Sequence, residues 1–286
     1  MGGAGVCHSD LHLMSDFADG LLPWNPPFTL GHEGIEIYCE DLADAPVPGG
    51  GGGLGLDGGM ADYLLVPDSR FLVPIPDGLD PVHAAPVTDA GLTPYHAIRR
   101  SLHKLTPDAT AVVIGAGGLG QMAVQILKAT SATAVIVVDT RESARDLAGR
   151  HGADLALAPD AGVVQTIREA AHGRGADLVL DFVGSDETLA TAVATTRPLG
   201  DLTIVGIAGG SLAVSFFTVP YEVSIQTTYW GTRAELVEVL QLAARGRITP
   251  DLRAFPLEDA LDAYRHLRAG DIDGRAVITP SPAYTG

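Results

Sequence analysis

Cysteine, histidine and carboxylate side chains recur in three short polar strings early in the chain: Cys7-His8-Ser9-Asp10 with His12 close behind, Gly31-His32-Glu33-Gly34, and Thr88-Asp89-Ala90-Gly91. Thiolate, imidazole and carboxylate are the usual donors to zinc, and a catalytic zinc takes three of them and leaves a fourth position for water or substrate. Cys7, His32 and Asp89 would make such a set. Their separation is long and lacks a C-x-x-C signature, so each keeps a second reading. Cys7 can be a small buried hydrophobe, His32 a hydrogen-bonded loop histidine, and Asp89 the N-cap of a helix opening at Ala90-Gly91-Leu92.

A second concentration of chemistry lies at residues 110–139. Thr110-Ala-Val-Val-Ile114 runs into Gly115-Ala-Gly117-Gly-Leu-Gly120, an apolar helical stretch follows, and Ala134-Val-Ile-Val-Val138 ends on Asp139. A strand, a G-x-G-x-x-G turn, a helix and a second strand closed by an acid form the dinucleotide-binding pattern. Gly115 permits the tight turn, Gly117 admits a pyrophosphate without a Cβ in the way, and Gly120 lets the helix lie close to the sheet. The helix N-terminus then offers free N–H groups to phosphate. Asp139 can bind both ribose hydroxyls of NAD and would repel the extra phosphate of NADP, so NAD is the expected cofactor. The competing reading is a glycine turn in some other α/β protein.

These residues need elements to hold them. From about residue 96 the pattern alternates: strands at 111–114, 134–138, 176–182 and 201–207, and helices at 119–130, 141–151, 163–172 and 187–195. Such alternation predicts parallel βαβ units with helices on both sheet faces. The first 90 residues, rich in Gly and Pro, predict an irregular β-rich domain with extended pieces at Met60–Val66 and Phe71–Ile75 and a flexible Gly49–Gly53. Helices at 235–245 and 257–269 and a strand at 275–278 are expected to return to that domain.

Taken together, the strings resemble the zinc-dependent medium-chain alcohol dehydrogenases over nearly the whole chain. They are Gly5-Val-Cys-His-Ser-Asp10, Leu30-Gly-His-Glu-Gly34, Asp89-Ala-Gly-Leu-Thr-Pro-Tyr-His96, Val113-Ile-Gly-Ala-Gly-Gly-Leu-Gly120, Asp181-Phe-Val-Gly184 and Tyr229-Trp-Gly-Thr-Arg233. The resemblance implies an α/β fold: a Rossmann doubly wound parallel sheet at 93–229, plus an incomplete GroES-like β-rich catalytic domain at 1–92 and 230–286. It makes Cys7, His32 and Asp89 the ligands of one catalytic zinc, Glu33 a carboxylate able to approach the metal, and Asp10 the partner of the histidine. The family usually has cysteine where Asp89 stands, and a subset has aspartate there. Ser9 matches the hydroxyl that takes the alcohol proton and His12 the solvent end of the relay. Cofactor contacts are implied at Gly115, Gly117, Gly118, Leu119, Gly120, Asp139, Val183, Ile207 and Arg275, the last on the pyrophosphate. The implied reaction is NAD-dependent oxidation of alcohols to ketones or aldehydes, and its reverse, in a homodimer or homotetramer.

The chain also departs from the family. Its relatives open with strands ahead of the Cys-His-Ser-Asp string, whereas Met1 stands almost on it; this reads as an N-terminally truncated member. After Gly34 the family continues into a lobe with a structural zinc on four cysteines, of which only Cys39 has a counterpart, so no structural zinc is expected. Two other readings compete: a zinc-free reductase of the quinone-reductase kind, and a non-catalytic NAD-binding remnant or redox sensor. Zinc content separates them.

Bulk properties narrow the partners. The 286 residues carry a net charge of −17, which argues against nucleic acid and anionic membranes, both of which select basic surfaces. Two cysteines, Cys7 and Cys39, make no disulfide framework and fit a reducing cytoplasm. The longest apolar runs fall far short of the roughly 20 residues of a membrane helix. A soluble cytoplasmic enzyme acting on a small molecule is the expectation.

Overall fold

The computed structural model describes residues 2–16, 27–32, 51–66 and 68–280. The chain divides into two compact units, Met1–Leu92 with Trp230–Gly286, and Thr93–Tyr229.

The Thr93–Tyr229 unit is built on a six-stranded parallel sheet. Its spatial order is Leu155–Leu157, Ala134–Val138, Thr110–Ile114, Ala176–Asp181, Thr196–Ile204 and Ser224–Thr227. Numbered along the chain this is 3-2-1-4-5-6, the doubly wound order whose direction reverses between Thr110–Ile114 and Ala176–Asp181. All five residues of Thr110–Ile114 are buried, as expected for a strand covered on both faces. Val112, Ile114, Ile136, Val138, Ile167, Val179 and Leu202 meet in one core, each contributing about 1.5–3 kcal/mol of transfer free energy.

Two strands depart from the sequence pattern. Leu155–Leu157 was not expected, because three half-buried residues are too few to show a period. The fifth strand begins at Thr196, directly after the helix Asp186–Thr195, rather than at Asp201. Its carboxylate at Asp201 accepts from Ser101 Oγ at 2.7 Å and from Lys104 Nζ at 2.5 Å. Asp201→Ala is expected to destabilise this unit by about 2 kcal/mol, since a buried hydroxyl and an ammonium lose their acceptor; urea denaturation measures it.

In the other unit, Ala4–Val6 pairs antiparallel with Arg275–Thr279, which pairs parallel with Leu252–Pro256. The helix Ala260–Ala269 covers this sheet, and Val6, Leu11, Phe255, Ala263, Tyr264, Leu267 and Ile278 form its core. Met60–Val66 and Phe71–Ile75 are not strands. Tyr63 is 76% and Leu65 90% exposed, so the first run leaves two of its apolar side chains in solvent; Pro74 lacks the N–H that the second would need for a ladder. The Gly49–Gly53 reading lies partly outside the described residues, and its described end, Gly51–Gly52, pairs with Gly55–Leu56. No helix among the described residues is long and apolar enough to cross a membrane.

Candidate active site

The three polar strings converge. Cys7 follows the strand Ala4–Val6 and caps the short helix His8–Leu11, its backbone N–H donating to Asp10 Oδ2 at 3.1 Å. A Cys-x-x-Asp spacing thus acts as a capping box and fixes the sulfur at a strand end. Val6 lies opposite Ala276, so Cys7 and Arg275 leave their strands at the same end of the sheet.

His32 is placed by a glycine. Gly31 has φ +97°, and a Cβ there would lie 2.8 Å from the Met60 backbone nitrogen. That closeness comes from backbone bonds of Gly59 N–H to Gly31 O at 2.8 Å and of Met60 N–H to Leu30 O at 3.1 Å. Only glycine fits both the left-handed conformation and the contact. Asp89 follows the 3-10 turn Ala85–Thr88 and precedes the helix Leu92–Ser101 by two residues, so it is not that helix's N-cap.

The donor atoms of Cys7, His32 and Asp89 all lie within 4.8 Å of one another, and all three residues are buried. Cys7 Sγ stands 3.7 Å from Asp89 Oδ2. Tetrahedral zinc with bonds near 2.0–2.3 Å needs donors roughly 3.3–3.8 Å apart. One sulfur, one nitrogen and one oxygen at this spacing fit a three-ligand zinc site. His32 Nδ1 is 3.0 Å from Asp10 Oδ1, which leaves Nε2 as its metal-facing nitrogen.

Charge around the site favours anionic ligands. Burial pushes the Cys7 thiol up, but Arg275 and His32 together outweigh burial and the repulsion of Asp89, and the net direction is down. Arg275 is 5% exposed, with Nη2 3.4 Å from Asp89 Oδ2. The residue assigned from sequence to a pyrophosphate is therefore found against the carboxylate of Asp89. Ser9 Oγ donates to Cys7 Sγ at 3.0 Å. His12 is half-buried, one turn on from His8. Glu33 and Cys39 lie outside the described residues.

Sequence reasoning missed Tyr264. Its hydroxyl donates to Asp10 Oδ2 at 2.8 Å and also lies 3.3 Å from Met60 Sδ. Burial, and the charge of Asp10 beside it, push the phenol well above its ordinary range, so it stays a donor. In sequence it reads as one more member of the apolar stripe Ala263, Tyr264, Leu267.

The glycine loop belongs to the other unit. Gly115 has φ +85°, Gly117 is the N-cap of the helix Gly118–Thr130, and a Cβ on Gly120 would sit 1.9 Å from Gly115 O. A Cβ on Gly117 would meet nothing within 4 Å, whereas one on Gly115 would lie 2.7 Å from Val183 Cγ2. The loop and Val183 thus flank the point where strand order reverses, the binding position of open α/β sheets. Ile207, 52% exposed, follows the strand Thr196–Ile204. Asp139 accepts from Ala116 N–H at 2.7 Å and Arg141 N–H at 2.8 Å. Gln121, also missed from sequence, ties the loop down by donating to Ala116 O at 2.9 Å and Ala144 O at 3.0 Å.

One chain thus joins a doubly wound sheet, with a glycine turn beside the point where its strand order reverses, to a buried Cys-His-Asp cluster. Residues 118–245 match the family model described as zinc-binding dehydrogenase. The chain is 34% identical to an NAD-dependent alcohol dehydrogenase of Sulfurisphaera tokodaii, covering 97% of this chain and 90% of that protein. A D-arabinose 1-dehydrogenase (NADP(+)) of Saccharolobus solfataricus is 31% identical, over 98% and 89% of the two chains. Among solved structures, the alcohol dehydrogenase of Aeropyrum pernix superposes with a TM-score of 0.86 at 32% identity, covering 98% of this chain and 90% of that one. This chain belongs to the zinc-binding medium-chain alcohol dehydrogenase family. The alignment with the S. tokodaii relative spans 319 residues, more than this chain contains, so that relative carries internal residues with no counterpart here.

Proposed function

We propose that the protein oxidises alcohols to ketones or aldehydes with NAD, and runs the reverse reduction, at a single zinc held by Cys7, His32 and Asp89. The observation that carries this reading is the convergence of three buried donors, one S, one N and one O, within 4.8 Å. A metal-free reductase has no use for such a set.

When bound, zinc and NAD supply a Lewis acid for the alcohol oxygen and an acceptor for hydride. The chain supplies the rest. Asp10 fixes the His32 tautomer, and Ser9, 3.0 Å from the Cys7 sulfur, takes the alcohol proton for release through His12. Arg275 offsets the charge of Asp89 and Cys7. Glu33 is assigned as the carboxylate that can approach the metal. Gly115 shapes the phosphate turn, Gly117, Gly118, Leu119 and Gly120 bring the backbone of the helix N-terminus to the pyrophosphate, Val183 and Ile207 line the nicotinamide side, and Asp139 takes the adenosine ribose. Working as a cytoplasmic homodimer or homotetramer, copies would pair through Ser224–Thr227, the last strand of the six-stranded sheet.

Elemental analysis of purified protein, with an alcohol screen followed by NADH absorbance, tests the reading. About one zinc per chain and NAD-linked turnover are expected; folded protein that binds NAD but neither holds zinc nor oxidises any alcohol would overturn it. The cofactor preference has its own test. Asp139→Ser is expected to raise the KM for NAD about tenfold to a hundredfold, as charge-assisted bonds worth about 1.5–3 kcal/mol are lost, and to lower the KM for NADP.

A further inference from the structure

Asp10 is the hub of the metal centre. It is fully buried, and its two carboxylate oxygens face three partners: His32 Nδ1 at 3.0 Å, the Cys7 backbone N–H at 3.1 Å, and the Tyr264 hydroxyl at 2.8 Å. Two of these partners lie on zinc-ligand residues. The third comes from the helix Ala260–Ala269, far away in the chain and ligating nothing.

A carboxylate that orients a ligating histidine works only while its own rotation is fixed. The Cys7 amide and Tyr264 hydroxyl both bond Oδ2, and together they leave Oδ1 to His32. The amide holds Oδ2 from within the capping turn; the hydroxyl holds it from across the core. Without the hydroxyl, Oδ2 keeps one donor and the carboxylate can swing about it, taking its hold on the imidazole with it. A neutral acceptor, Met60 Sδ, lies 3.3 Å from the phenol and would satisfy its polarity, yet the shorter bond, at 2.8 Å, goes to the carboxylate that supports the ligands.

We infer that Tyr264 is a positioning residue of the metal centre, acting through Asp10 on the orientation of His32, so that the C-terminal helix sets the affinity and ligand geometry of the zinc site. This rests on the zinc reading above. It assigns a function to a side chain whose sequence context reads as plain core.

Tyr264→Phe tests it, because the ring stays and only the hydroxyl goes. Zinc affinity of the full chain is measured by competition with a chromophoric chelator for wild type, Tyr264→Phe, Asp10→Asn and the double variant, alongside the visible spectrum of the cobalt-substituted proteins. The expected result is roughly a tenfold loss of zinc affinity in Tyr264→Phe, with shifted or broadened cobalt bands. Tyr264→Phe should add no further loss on Asp10→Asn, since the hydroxyl acts only through that carboxylate. Unchanged zinc affinity and cobalt spectrum in Tyr264→Phe, even with a lowered unfolding midpoint, would reduce the hydroxyl to packing and overturn the inference alone. Full additivity with Asp10→Asn would overturn it too. A wild type that binds neither zinc nor cobalt would remove the zinc reading together with the inference.

Discussion

A Cys7→Ala, Asp89→Ala double variant is expected to purify without zinc and to lose alcohol oxidation by about three orders of magnitude or more, while still binding NAD. The first part follows from the donor count. Removing sulfur and carboxylate leaves His32, with at most the neighbouring Glu33 to help it, and two donors do not hold zinc against water and buffer. The second follows from the chemistry lost: Lewis-acid stabilisation of a developing alkoxide is worth several kcal/mol, and each 1.36 kcal/mol is tenfold in rate. The third follows from the division of the chain. Cys7 and Asp89 lie in the unit Met1–Leu92 with Trp230–Gly286, and the glycine loop and Asp139 lie in Thr93–Tyr229. Retained NAD binding, read by fluorescence titration, excludes global unfolding as the cause. A double variant that kept its zinc would show that the three donors are not the site. Asp89→Ala alone has an added penalty, since it leaves the buried Arg275 without its carboxylate.

The sequence carried this site unevenly. Positions 110–139 were readable because every step of the dinucleotide turn is local: strand, glycines, helix and acid follow one another within thirty residues, and each is required by backbone geometry. The Cys-His-Asp set was readable only as residue types, because His32 and Asp89 are brought to Cys7 by loops whose paths depend on contacts such as Gly31 against Met60. Of the supporting residues, Asp10 was legible as the partner of His32 through the resemblance, whereas Tyr264 and the contact of Arg275 with Asp89 were not. Tyr264 reaches Asp10 across 254 positions and Arg275 reaches Asp89 across 186, and nothing in the local pattern marks either as part of a polar network. Short or solvent-facing pieces failed for a different reason. Leu155–Leu157 is a strand only because Ile136–Val138 lies beside it, whereas in Met60–Val66 Tyr63 and Leu65 face solvent and the Met60 N–H bonds the Leu30 carbonyl rather than a strand.

Gly120→Ala and Gly117→Ala are expected to fail in different ways, though each adds only a methyl group. At Gly120 the new Cβ would sit 1.9 Å from Gly115 O, a backbone atom that cannot rotate away. Either the helix Gly118–Thr130 lifts from the strand Thr110–Ile114 or the turn at Gly115 opens. Met122, Val124 and Ile126, buried on that helix, resist the first, and the bond from Gly115 N–H to Val138 O at 2.8 Å resists the second. The expected loss is about 3 kcal/mol of stability, at the upper end of overpacking effects, and NAD affinity falls with it because the phosphate turn is displaced. At Gly117 φ is −71° and the Cβ would meet nothing within 4 Å, so the fold tolerates alanine. The open space over the helix N-terminus is then lost to a methyl group, in the place where a pyrophosphate would approach. Stability should stay within about 0.5 kcal/mol of wild type, while NAD affinity falls about tenfold to a hundredfold as charge-assisted N–H bonds worth about 1.5–3 kcal/mol lengthen. Urea denaturation beside NAD titration separates the two. Equal loss of stability in both variants would mean that the space over Gly117 belongs to packing; unchanged NAD affinity in Gly117→Ala would mean that the phosphates do not lie against this turn.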